Sequence, residues 1–112
     1  MYKDSTSIIE KGTRFEGNLT FSGVMRISGE FYGNIYSTDT LVINEEAYVE
    51  GTIEANSVII SGLVKGEIKA SSRVEMKSPA KFTGKVRTPS LIVEEGVIFH
   101  GETQVEYDDE IP

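Results

Sequence analysis

The chain has no cysteine and no tryptophan, three prolines, and one histidine, His100. Without cysteine there is no disulfide framework and no thiolate metal site. No apolar run approaches the length of a membrane span, and the opening Met1-Tyr2-Lys3-Asp4-Ser5-Thr6-Ser7 has no hydrophobic signal core. Basic residues are in the minority: 11 Lys and Arg stand against 18 Asp and Glu, a net charge of −7. That balance argues against nucleic acid and against adsorption to anionic lipid, both of which need clustered cations. Helix signals are absent as well, because Gly, Ser, Thr and β-branched residues interrupt every window. A phosphate-cradling loop is missing: Gly62-Leu63-Val64-Lys65-Gly66 has neither the spacing nor a following helix, so nucleotide-driven assembly is not expected.

What the chain does contain is a phrase written six times: apolar, any residue, glycine, any residue, usually apolar. Its glycines are Gly17, Gly33, Gly51, Gly66, Gly84 and Gly101. Two residues before them stand Phe15, Phe31, Val49, Val64, Phe82 and Phe99; two after stand Leu19, Ile35, Ile53, Ile68, Val86 and Thr103. The intervals are 16, 18, 15, 18 and 17 residues. A repeat of this length filling a chain marks a solenoid, each repeat one rung of a stack. Alternation of polar and apolar residues around each glycine is the strand signal, and by strict period two the glycine points inward, where the interior is narrow or the chain bends.

A second strand precedes each phrase: Met25-x-Ile27, Leu41-x-Ile43, Val58-x-Ile60, Val74-x-Met76 and Leu91-x-Val93, with Ile9 alone in the first repeat. The turn joining the two strands is short at Ile27–Phe31 and Ile60–Val64. It is two residues longer at Ile9–Phe15, Ile43–Val49, Met76–Phe82 and Val93–Phe99. Insertions thus fall in turns while strands keep register. A short third side, such as Glu54-Ala55-Asn56-Ser57, leads to the next rung. The expected fold is all-β: a parallel β-helix of about six triangular rungs over residues 8–105, flanked by a flexible tail (1–7) and an acidic one (106–112). Stacked rungs place equivalent residues about 4.8 Å apart.

The array of phrases, for example Val49-Glu50-Gly51-Thr52-Ile53-Glu54-Ala55 and Val64-Lys65-Gly66-Glu67-Ile68-Lys69-Ala70, resembles the bactofilin family. The resemblance covers about residues 8–105. It implies a right-handed β-helix that polymerises without nucleotide into bacterial cytoskeletal filaments, with head-to-head and tail-to-tail joints. It also implies a cytoplasmic scaffold serving cell shape at the inner face of the membrane, with cell-wall or membrane-protein clients. Many relatives have an N-terminal membrane-targeting stretch. Here only Met1, Tyr2 and Lys3 match it, followed at once by Asp4, so the expected membrane contact is weak.

The solenoid itself suggests why it should self-associate. Its first and last rungs pair on one side only, and open strand edges template further pairing. The expected joint residues are Phe15, Leu19 and Phe21 at one end and Val97, Phe99 and Val105 at the other. The segments Ile9–Gly17 and Val93–Gly101 align without gaps, so the two ends resemble each other. No catalytic, cofactor-binding or metal-binding residues are assigned, and no cofactor is expected. His100 reads as a solvated strand residue, and the carboxylate pairs Glu45-Glu46 and Glu94-Glu95 as solvated turns. The alternative is a polysaccharide-binding or polysaccharide-cleaving β-helix. It would need a groove with aromatic platforms and paired carboxylates, and the outward aromatics are few: Tyr32, Tyr36 and Tyr48.

Overall fold

The computed structural model describes residues 6–105, and every element among them is a strand. In chain order these are β1 (Thr6–Ile9), β2 (Arg14–Phe21), β3 (Val24–Ile27), β4 (Glu30–Ser37), β5 (Thr40–Ile43), β6 (Tyr48–Ile60), β7 (Leu63–Met76), β8 (Lys81–Thr88), β9 (Leu91–Val93) and β10 (Ile98–Val105). All pairings are parallel.

The registers build a three-sided solenoid. One face stacks β1, β3, β5, the last residues of β6 and β7, and β9. The other two faces stack β2, β4, the first parts of β6 and β7, then β8 and β10. The six phrase glycines fall into one column, each opposite the next. Six layers are therefore joined by five steps, about five turns of coil where six phrases suggest six rungs.

The glycines make the corner between the second and third faces, and this departs from the expected inward orientation. Their φ angles run from +130° to +147°, a region that L side chains rarely adopt. Gly33, Gly51, Gly66 and Gly84 are half-exposed, and Gly51, Gly66, Gly84 and Gly101 line an open furrow on the outside of the rod. Strict alternation assumes an extended backbone, and a left-handed residue breaks that assumption. A Cβ on Gly66 would point along the stack and overlap the carbonyl oxygen of Gly51. The flanking apolar residues still face inward: Phe31 and Ile35 are buried on either side of Gly33. The third side likewise differs from expectation, because it follows the glycine directly within the same strand instead of beginning at Glu54.

Turn lengths explain the remaining irregularity. Gly29 and Gly62, in the two short turns, tuck beneath the long turns of the preceding layers. A Cβ there would overlap the carbonyls of Glu10 and Thr13, or approach those of Asn44 and Ala47. Because the second layer's turn is short, the long turns of the first and third layers meet, and Lys11 Nζ reaches Glu46 at 3.4 Å. The extra residue of β7 is absorbed by a register shift after Ala55, where the hydroxyls of Ser71 and Ser72 both donate to Asn56 Oδ1 at 3.0 Å.

The core is a set of columns. Val49, Val64, Ile53, Ile68, Val58, Ile60, Val74 and Met76 are sealed inside the middle layers. Polar interior positions are few: among the described residues Ser37 and Thr88, at one corner, are the buried polar ones, and the Thr88 hydroxyl donates to the Ser90 carbonyl at 3.2 Å.

Glycine's role at the corner separates from its role elsewhere by mutation. Gly66→Ala combines left-handed strain with backbone overlap and should cost about 2–5 kcal/mol. Gly12→Ala meets no atom within 4 Å at φ +90° and should cost only about 1–2 kcal/mol of strain. Thermal or denaturant melts of the two variants give the comparison; equal losses would refute the stacking role of the corner.

Candidate polymerisation interface

The stack ends in strands that have a partner on one side only among the described residues. β1 and β2 bond to β3 and β4; β9 and β10 bond to β7 and β8. The backbone shows the same openness. The corner glycines of the second to sixth layers each sit against the carbonyl of the layer before, whereas a Cβ on Gly17 would touch nothing nearer than its own neighbour Phe15 at 4.0 Å. Unpaired strand edges of this kind are templates for another chain.

Aromatic rings finish both ends. At the first, Phe15 stacks on Phe31 with centroids 5.1 Å apart and planes 8° from parallel. At the other, Phe99 lies on Phe82 at 5.3 Å and 33°. Phe31 and Phe82 are completely buried, while Phe15 and Phe99 are only partly covered, each with one side against the core. In the middle layers the same column holds Val49 and Val64.

Of the residues expected at the joint, Phe15, Leu19 and Phe21 lie together in β2, partly buried against the core. Val97 and Phe99 lie together at the opposite end, with the same partial burial. Val105 pairs by backbone with Thr88 at the end of β10; its side chain lies outside the described residues. Met1, Tyr2 and Lys3 also lie outside them. The sequence reading missed Ile9 and Leu91, which are partly buried in the first and last layers, and Val93, which is 46% exposed in the last. Their signal was available: they occupy the preceding-strand positions of the end layers, and an end layer exposes all its inward columns, not the phrase column alone. The gapless likeness of the two ends also has a structural counterpart, since Gly12 and Gly96 occupy matching long turns with φ of +90° and +98°.

The flanks carry the charged and polar residues. On the face preceding the glycine corner, Tyr32 donates to Glu30 Oε1 at 3.0 Å and Tyr48 to Glu50 Oε1 at 2.8 Å. These hydrogen bonds to carboxylates hold both phenols above their ordinary pKa, with slight desolvation adding to the effect. The Arg14 guanidinium lies 4.7 Å over the Tyr32 ring and pairs with Glu16 at 2.9 Å. Tyr36 is on a different face, near Glu54, Lys69 and Arg87 in a recess of about 600 Å³. His100 is exposed in β10 opposite Thr83. Glu45, Glu46, Glu94 and Glu95 are exposed in turns, and Glu94 accepts from the Ser78 amide at 3.0 Å. Among the described residues no group of three or more His, Cys, Asp or Glu side chains is placed to hold a metal ion, and no helix is long and apolar enough to cross a membrane.

Comparison with known proteins agrees with this architecture. The family model of bactofilins, described as polymer-forming and cytoskeletal, matches residues 7–104. Bactofilin BacO of Myxococcus xanthus is 26% identical over 102 residues, 91% of this chain and 81% of its own length. Bactofilin BacP of the same organism is 24% identical over 99 residues; the match spans 88% of this chain but only 41% of BacP. The fold superposes on the solid-state NMR structure of the cytoskeletal bactofilin BacA with a TM-score of 0.80 at 26% identity, covering 88% of this chain and 93% of that one. A cryo-EM reconstruction of Thermus thermophilus bactofilin double helical filaments matches with a TM-score of 0.82 at 33% identity, covering 87% and 96%. A three-sided parallel solenoid, matched over residues 7–104 by a model of cytoskeletal polymer-formers, makes this chain a member of the bactofilin family.

Proposed function

We propose that this protein polymerises end to end, without nucleotide, into cytoplasmic filaments that position cell-envelope or cell-shape factors. The observation that carries the polymer is the pair of unfinished end layers, each a set of one-sided strands capped by a half-covered phenylalanine. Stacking a second copy on an end lets the open strand edges form further backbone bonds, each contributing about 0.5–1.5 kcal/mol net. It also removes the remaining apolar surface of Phe99, Val97 and Leu91, or of Phe15, Leu19 and Ile9, at about 25 cal/mol per Å². Neither term needs a hydrolysed ligand. The filaments of the Thermus thermophilus relative support the same reading. The envelope role, with a membrane contact through Met1, Tyr2 and Lys3, rests on the family.

A charge in the joint should separate folding from assembly. Phe99→Arg places an unpaired cation in a surface that must lose water, which costs several kcal/mol. Electron microscopy should show no filaments at concentrations where the unaltered protein forms them, with the β circular dichroism spectrum retained and with no effect of added nucleotide or chelator on either protein. Undiminished filaments from the variant would remove Phe99 from the joint, and filaments that require nucleotide would overturn the mechanism.

The end layer should also differ from the interior in stability. Under conditions that keep the protein monomeric, Phe31→Ala should cost about 3–5 kcal/mol, as for a buried phenylalanine. Phe15→Ala should cost less than half as much. Equal losses in chemical denaturation would show that the first layer is already covered by its own chain.

A further inference from the structure

The rod's second face, the one preceding the glycine corner, carries a charge pattern that end-to-end assembly does not use. Its two outward columns read, layer by layer, Arg14, Glu30, Tyr48, Leu63, Lys81, Ile98 and Glu16, Tyr32, Glu50, Lys65, Thr83, His100. Glu16, Glu30 and Glu50 thus stand in the first half, where Arg14 is already paired with Glu16, and Lys65 and Lys81 stand in the second. Between them, at mid-length, Tyr48 and the 39% exposed Leu63 form an apolar centre. The glutamates are held in place, because Tyr32 and Tyr48 donate to Glu30 and Glu50 and the two tyrosine rings lie 5.7 Å apart.

We propose that this face pairs with the same face of a second copy, the two rods running in opposite directions. A twofold axis along the strands, midway between the third and fourth layers, sets layer two against layer five and layer three against layer four. Glu30 then faces the other copy's Lys81, Glu50 faces its Lys65, and Tyr48 packs on its Leu63. Symmetry repeats each contact, giving an isologous interface. Rods running the same way would set the glutamate layers against each other and the lysine layers against each other, so the charges select the antiparallel arrangement. The face stacking β1 to β9 is a poorer candidate. It has outward Val42 and Ile59, but its Glu75 already lies 3.8 Å from Arg73 and 4.0 Å from Lys77.

Size sets the conditions for pairing. Six layers at about 4.8 Å and about four residues of width at 3.3 Å make a patch of roughly 400 Å² per copy, about half of what a stable dimer buries on each partner. Single rods therefore do not pair stably. Rods joined into filaments repeat the patch at every subunit and pair by avidity. The inference rests on the proposed polymer and deepens it: the face supplies the lateral contact between filaments.

Charge reversal tests it, because Glu30 and Lys81 are three layers apart in one chain, about 14 Å, and do not touch each other. Glu30→Lys and Lys81→Glu should each leave filaments single, lowering the paired fraction in cryo-EM images roughly tenfold or more. The double variant should restore pairing, which loss of folding or of a contact within one chain cannot explain. Pairing that survives either reversal, or stays lost in the double variant, overturns the assignment and leaves the face to another protein or to solvent. Unaltered filaments that are single overturn the pairing but not the polymer. If no filament forms at all, the polymer reading fails, and the face is tested alone in a chain that lacks cysteine. A short bismaleimide should then cross-link a mixture of Glu30→Cys and Lys81→Cys proteins at high concentration, and neither one by itself. Absence of that mixed product would refute the pairing.

Discussion

The close approach of one glycine corner to the next governs this protein. At Gly33, Gly51, Gly66, Gly84 and Gly101 the chain turns through a left-handed conformation directly over the carbonyl of the layer before. No side chain fits between, so layers settle to the parallel-strand spacing and every other residue finds its register from that column. The aliphatic columns of the interior then follow: Ile35, Ile53, Ile68 and Val86 fall in line because the glycines two residues earlier do. Turns of two lengths are absorbed outside the stack, so the spacing between phrases varies without disturbing it.

A fold held by identical steps has no internal reason to stop. Each interior layer is satisfied by the layers on either side, and the same forces are left unspent at both ends, where Phe15 and Phe99 lie half covered on Phe31 and Phe82. In the proposed polymer the folding interaction continues between molecules by burial and strand pairing, in a family described as polymer-forming and cytoskeletal. The flanks carry a division of charge along the rod that the proposed end-to-end stacking does not use.

Much of this was legible in the residues. The six phrases announced the solenoid, the preceding strands and both turn lengths, and they set Phe15, Leu19, Phe21, Val97 and Phe99 in the first and last layers. Less legible was anything that depended on where the chain leaves the extended conformation. Period-two alternation carried Gly33 and its equivalents to the inside, whereas a positive φ turned them into an outer corner. Ile9, Leu91 and Val93 belong to the same end layers but to the preceding-strand column, which the repeated phrase does not mark. The charge pattern of the second face depends on register, which sets Glu30 and Glu50 in one half and Lys65 and Lys81 in the other.

The sequence by itself determined the class, the repeat and the strands, since these follow from periodicity and from residues that favour extended structure. Only the tertiary structure decided which way the corners point, which end residues share a layer and which charges share a face. Those depend on backbone angles and on register across about 17 residues, and composition along one strand carries neither.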